Sequence, residues 1–246
     1  MYKRQLQGHM GRAYALAQGE ASEIADAIRD HYKPTGAHDD VAPGDVSAAV
    51  ALADRFDTLA GCFAVGLAPT GAADPFALRR ACIAALRTML DRNYAALAFS
   101  EMVGLAYDGL QGKKLDLTRI ETVTRIEDFA TERLRGLLAG TTSGAVADAV
   151  MSGVGPAALR SVVAVQARAR ALQAVVDAKE PWLEKARIVA KRLAGISREA
   201  QPTLHPESAF RASAKRDDVA IQTLVRDLSD ATQRLTTCLL YTSRCV

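Results

Sequence analysis

The chain has 246 residues and a mass of 26.2 kDa, with 49% hydrophobic and 24% charged residues, so it holds enough apolar material for one large domain or two ordinary ones. Aromatic residues at 5%, beside abundant alanine, favour closely packed helices over a β-sandwich, and neither a bilayer-length apolar run nor a secretory leader is visible. A net charge of +3 does not announce nucleic acid by itself, and no Gly-rich phosphate loop is present.

In chain order, Leu6-Gln-Gly-His-Met-Gly-Arg12 leads into a short helical piece, and a helix follows from Glu20 to Tyr32 with Ile24, Ala27 and Ile28 as its buried stripe. Residues 33–44, with two prolines and two glycines, read as a mobile loop. Asp45 is a candidate N-cap for a helix whose apolar stripe comprises Val46, Ala49, Val50, Ala53, Phe56, Leu59, Ala60 and Phe63. Gly66 to Gly71 breaks that helix, with Pro69-Thr70-Gly71 as a tight turn. Asp74 before Pro75 restarts a helix, with Phe76, Ile83, Leu86 and Leu90 facing the first. The spacing therefore predicts an antiparallel helical hairpin over 45–93.

A helix over about 96–110 stops at Gly109-Leu-Gln-Gly112, and residues 113–117 read as a linker with a domain boundary near 115. Beyond it, Thr118 to Leu138 is amphipathic, with Ile126, Phe129, Leu134 and Leu137 apolar. A small helix near 144–151 precedes a long one from Gly153-Val-Gly-Pro156 to Ala178; further helices run from Pro181-Trp182 to Leu193 and over roughly 215–236. No segment sustains period-two alternation, so the expected class is all-α.

The charge is uneven. Residues 1–115 carry 12 Lys/Arg against 13 Asp/Glu, whereas residues 156–198 carry 9 against 3. Arg168 with Lys185, Arg187, Lys191 and Arg192 forms a basic footprint that could grip phosphates, or an ordinary solvated face. Trp182 is read as a packing anchor rather than a base-stacking platform. Asp54, Asp57, Arg79 and Arg80 read either as ion pairs tying the hairpin together or as arginines holding a phosphate backbone.

His38-Asp39 resembles the ligand pair of HD-superfamily metal phosphohydrolases. The other histidines are His9, His31 and His205, and only Asp54 or Asp57 could complete a set; a loop offers a metal no fixed geometry, so no metal site is expected. No nucleophile stands beside His9 or His31, so no catalytic residue is assigned, and His31 is expected to be a surface or capping group. Cys62, Cys82, Cys238 and Cys245 lack metal-ligand spacing, which fits a reducing, cytoplasmic setting.

The two ends differ from the rest. Met1 to Gln5 back-translates as GTG TAT AAG AGA CAG, and Cys238 to Ser243 as TGT CTC TTA TAC ACA TCT, which contains the reverse complement of that stretch. Residues 1–5 and 238–246 are therefore expected to be adapter scars, with the natural protein extending in both directions.

Several segments together resemble the β subunit of the bacterial heterotetrameric glycyl-tRNA synthetase. Leu6-Gln-Gly-His-Met-Gly-Arg12 is similar to its Leu-Gln-Gly-x-Met-Gly-Arg motif, and Glu23 to Tyr32 with Pro34 to the helix that follows. Ala51 to Phe63 and Pro69 to Arg80 resemble its Leu-Ala-Asp-x-x-Asp-Thr-Leu hairpin. Lys191-Arg192-Leu193 with Ile196 resembles a Lys-Arg-Val-x-Asn-Ile pattern, although Ala190 and Gly195 stand where the family has asparagines. The likeness is close over about 6–93 and sparser over 116–237.

The resemblance implies an HD-like helical domain over 6–115 without its metal site, then a truncated helical anticodon-binding (DALR-like) domain over 116–237. It implies that the chain grips glycine tRNA, with no DNA or membrane partner, as part of a glycine–tRNA ligase. ATP, with Mg, and glycine are then used by a separate α subunit, and this chain needs no cofactor of its own. Lys191 and Arg192 would contact the anticodon arm, and the 45–93 hairpin would be scaffold near the acceptor side.

Overall fold

The computed structural model describes residues 6–36, 39–70, 73–179 and 181–199. The fold is all-α: among the described residues the single β feature is an isolated bridge between Thr70 and Ala73. The expected adapter scars, the 215–236 helix and His205 lie outside the described residues, as does His38. The chain divides into two compact units after Ala169.

In the first unit, helices α1 (His9–Ala17) and α2 (Ser22–Asp30) pack together through the opening glycines. A Cβ on Gly8 would stand 2.7 Å from the Arg29 carbonyl oxygen, and one on Gly11 would stand 2.6 Å from Cγ2 of Ile28. Gly8 also has φ +85°, which a residue with a side chain rarely adopts. The two glycines thus set how closely the helices approach. Ile24, expected in the buried stripe of α2, is exposed instead, and Ala25, Ala27 and Asp30 face inward.

Helix α3 (Asp45–Ala64) is central and packs on α2, α4 (Leu78–Asp91), α5 (Phe99–Asp108) and α6 (Arg119–Thr141). Its stripe matches expectation from Phe56 onward. In the first two turns, however, Val46, Ala49, Val50 and Ala53 are exposed while Ser47, Ala48, Ala51 and Leu52 are buried. The segment is apolar nearly all round, and small residues on the inward side admit α2 closely. Asp45 does not cap α3: Gly44 is the N-cap, and the Asp45 carboxylate accepts from Arg92 and from the Tyr94 hydroxyl at 3.2 Å.

The N-cap of α4 is Ala77 rather than Asp74, although the Asp74 carboxylate still accepts the Leu78 and Arg79 amides at 2.8 and 3.0 Å. The helix starts three residues later than Pro75 would suggest, because Ala77 is left-handed at φ 57°. Phe76 consequently turns outward and is 49% exposed rather than packing on α3. Leu78, Leu86 and Met89 form the buried face of α4.

The core is completed by edge-to-face rings, Phe56 on Phe99 at 5.0 Å and Phe63 on Phe129 at 5.2 Å, with the Arg133 guanidinium 3.7 Å over Phe129. Residues 113–117 are not a free linker. The amides of Asp116 and Leu117 donate to the Ala64 carbonyl at 2.9 and 3.0 Å, and the Tyr107 hydroxyl donates to the Leu117 carbonyl at 2.8 Å. The position near 115 therefore falls inside the first unit. A Thr118–Glu121 capping box starts α6, which also packs on α7 (Gly144–Val154).

The long helix expected from Gly153 is interrupted. A 3-10 turn, Gly155–Arg160, ends at Ser161, where a new helix α8 (Val162–Asp177) begins. The Ser161 hydroxyl accepts the Ala164 amide at 3.4 Å, a cap the sequence pattern did not reveal. In the second unit, α9 (Pro181–Glu199) runs past the expected end at Leu193.

Candidate nucleic-acid interface

Lys185, Arg187, Lys191 and Arg192 all stand exposed on α9. At about 100° per residue, Lys185 and Arg192 share one ridge and Arg187 and Lys191 another. Arg187 is already engaged: its Nε and Nη2 donate to the Glu184 carboxylate at 3.0 and 2.7 Å. That contact holds the Glu184 carboxyl below its ordinary value and the Arg187 guanidinium above its own. Lys185, Lys191 and Arg192 carry no ion pair among the described residues, so their charge is available to an outside anion. Trp182 is half-buried. Arg168 is exposed on α8, within the first unit.

Asp54, Asp57, Arg79 and Arg80 are not brought together as one network among the described residues. Asp54 pairs with its neighbour Arg55 at 2.8 Å, on its own helix, because Arg55 is anchored by donating to the Tyr32 carbonyl at 2.7 Å. Asp57 is exposed and makes no ion pair among the described residues. Arg79 gives its amide to Asp74 and reaches the Ala73 carbonyl at 3.5 Å. Arg80 is exposed, makes no ion pair among the described residues, and lines a cavity of about 660 Å³.

Two arginines that sequence reading passed over hold the 33–44 loop instead. Arg87 donates to the carbonyls of Gly36 and Asp39 at 3.1 and 2.6 Å, and Arg92 to that of Pro43 at 2.7 Å. The loop expected to be mobile is thus tied to α4, and its own Ala42 is fully buried. The Asp39 carboxylate is turned back onto its own loop, accepting from the Thr35 hydroxyl and from the Thr35 and Gly36 amides at 3.0 and 3.1 Å; these bonds keep its carboxyl below the usual range. Among the described residues, no group of three His, Cys, Asp or Glu side chains could hold a metal ion. His31 is half-buried, with Nδ1 3.2 Å from the Ala27 carbonyl and its ring tilted on Tyr32.

Asp30 was also missed. Its side chain is 1% exposed and ion-paired with Arg29 at 2.7 Å and Lys33 at 3.3 Å. The bond from Arg29 lowers its carboxyl pKa, against the opposing effect of burial. The only sequence signal was the local Arg29-Asp30 and Lys33 spacing.

Residues 4–152 match the family model described as glycyl-tRNA synthetase beta subunit. The chain belongs to this family. It is 36% identical over 211 residues to the glycine–tRNA ligase beta subunit of Geobacter metallireducens, covering 86% of this chain and 30% of that protein. The beta subunit of Anaeromyxobacter sp. (strain K) is 40% identical over 197 residues, 80% of this chain and 27% of the relative. That of Trichlorobacter lovleyi is 43% identical over 148 residues, 60% and 21%. The chain therefore spans about a third or less of the length of these relatives. Among the described residues, no helix is long and apolar enough to cross a membrane.

Proposed function

We propose that this chain is the tRNA-gripping part of a glycine–tRNA ligase β subunit, acting in the cytoplasm. It supports ATP-dependent attachment of glycine to its tRNA while a separate α subunit binds ATP and glycine. The observation that carries the reading is family membership over residues 4–152, with relatives aligned over up to 86% of the chain. The exposed cations Lys185, Lys191 and Arg192 support it, since unpaired charge on a helix face displaces counterions from a phosphate backbone. In this reading α9 meets the anticodon arm, Arg187 joins by exchanging Glu184 for phosphate, and Arg168 adds a further contact.

The test is gel-shift competition of glycine tRNA against another tRNA, with the chain and with the full-length subunit. Binding should weaken steeply with salt, and Lys191→Glu with Arg192→Glu should abolish it. Unchanged affinity in the double variant would refute the assignment to α9.

A further inference from the structure

A cavity of about 660 Å³ lies in the first unit where the end of α2, the 33–44 loop, α3 and the start of α4 converge. That volume is in the range of small-molecule sites, about 300–1,000 Å³. Its charges are mostly consumed internally. Asp30 is neutralised by Arg29 and Lys33, Arg55 serves Asp54 and the Tyr32 carbonyl, and Asp39 is folded onto Thr35 and Gly36. Arg80 differs: it lines the cavity without an ion pair among the described residues, opposed on the walls by the carboxylate of Asp40.

Phe76, in the turn that precedes α4, also lines the cavity, with 49% of its surface exposed. Burying this ring would be favourable, and Arg55 and Thr58 of α3 line the same cavity. What keeps it out is the left-handed backbone of Ala77, held by the Leu78 and Arg79 amides, which donate to the Asp74 carboxylate. A non-glycine residue in this region carries strain, and such strain gathers at binding sites. The local fold thus sacrifices burial and relaxed geometry to set an aromatic face in the same cavity as an unpaired guanidinium.

We propose that this cavity binds a nucleoside phosphate, its base stacked on Phe76 and its phosphate held by Arg80. An aromatic face accepts any base, and a guanidinium takes a phosphate in a two-point fork. The inference concerns a site distinct from α9 and stands independently of the assignment made there. The same chemistry could arrive as a free nucleotide or as one unit of single-stranded RNA.

The experiment is calorimetric titration of the whole chain with AMP, with inorganic phosphate and with a short unstructured RNA oligonucleotide. AMP should bind more tightly than phosphate. Phe76→Ala should weaken AMP about tenfold and leave phosphate unaffected, Arg80→Gln should weaken both, and Asp40→Asn should tighten both by removing the opposing charge. RNA binding that exceeds AMP and shares these responses assigns the site to an RNA chain; equal affinities assign it to a free nucleotide. Phe76 and Arg80 are exposed, so circular dichroism should show both variants folded. Absence of AMP and RNA binding, or AMP affinity indifferent to Phe76, would overturn the proposal. The α9 reading is decided separately, by the tRNA gel shift.

Discussion

Asp30→Ala should destabilise the protein by about 2 kcal/mol. The carboxylate, at 1% exposure, accepts from Arg29 Nε at 2.9 Å and Nη2 at 2.7 Å, with Lys33 Nζ at 3.3 Å. Deleting one partner of a fully buried pair costs about 3–5 kcal/mol because a charge is stranded. Here neither cation is stranded: Arg29 is 29% and Lys33 44% exposed, and Arg29 retains Asp26 at 3.3 Å. The loss is closer to that of charged hydrogen bonds, about 1.5–3 kcal/mol, discounted because water screens the Lys33 arm. In a chain of this size 2 kcal/mol corresponds to roughly 4–8 °C in Tm.

The pH dependence fixes the sign. The folded carboxyl titrates below its unfolded value, chiefly because Arg29 donates to it. The unfolded chain therefore takes up the proton first as pH falls. The stabilisation is complete above the ordinary carboxylate pKa and disappears as pH drops through the folded value. Urea melts followed by far-UV circular dichroism should show a wild-type advantage over Asp30→Asn at neutral pH that shrinks below about pH 4. A gap under about 0.5 kcal/mol at neutral pH, or one that does not change with acid, would refute the reasoning.

Gly8→Ala should cost more than the roughly 1 kcal/mol that a positive φ alone brings, because its Cβ would meet the Arg29 carbonyl at 2.7 Å; Tm by calorimetry checks this. Phe99→Ala empties a fully buried site and breaks the ring contact with Phe56, for an expected loss of about 3–5 kcal/mol in urea melts. Thr118→Ala removes the N-cap of α6 and should cost about 1 kcal/mol, with Thr118→Ser restoring most of it. Burial pushes the Cys82 thiol up to about 12, so peptide mapping after alkylation of the native chain should find it unmodified, and in urea labelled.

Where a feature depends on neighbours within one helical turn, it was legible in the sequence. The apolar stripe of α3 from Phe56 onward formed as spacing implies. The start of α3 was not legible, because Val46, Ala49 and Val50 compete with Ser47, Ala48 and Ala51, and the tight approach of α2 decides between them. The displaced start of α4 was hidden too, since Ala77 is no obvious left-handed residue. The opening glycines were visible as a motif, but their purpose, contact with Arg29 and Ile28, depends on a partner helix. Arg87 and Arg92 act across about fifty residues of chain, a distance at which spacing carries no signal.

Charge counted along the sequence also understates how differently the two segments deploy it. In the first unit Arg12, Arg29, Arg92, Arg119 and Arg135 each meet a carboxylate, Arg87 clamps a loop, and Arg133 covers an aromatic ring. These guanidiniums are structural connectors, and an incoming phosphate would have to break existing bonds to recruit them. Among the described side chains of α9 only Arg187 is so committed, and its Glu184 partner is exposed to exchange. Polyanion binding is governed by charge not already neutralised, because only that charge releases counterions. By this criterion Lys185, Lys191 and Arg192 are, among the described side chains of α9, the cations free to act, and Arg80 is their counterpart on the cavity wall. A census of arginines by position would have ranked the 79–92 segment first; their hydrogen-bond partners reverse that order.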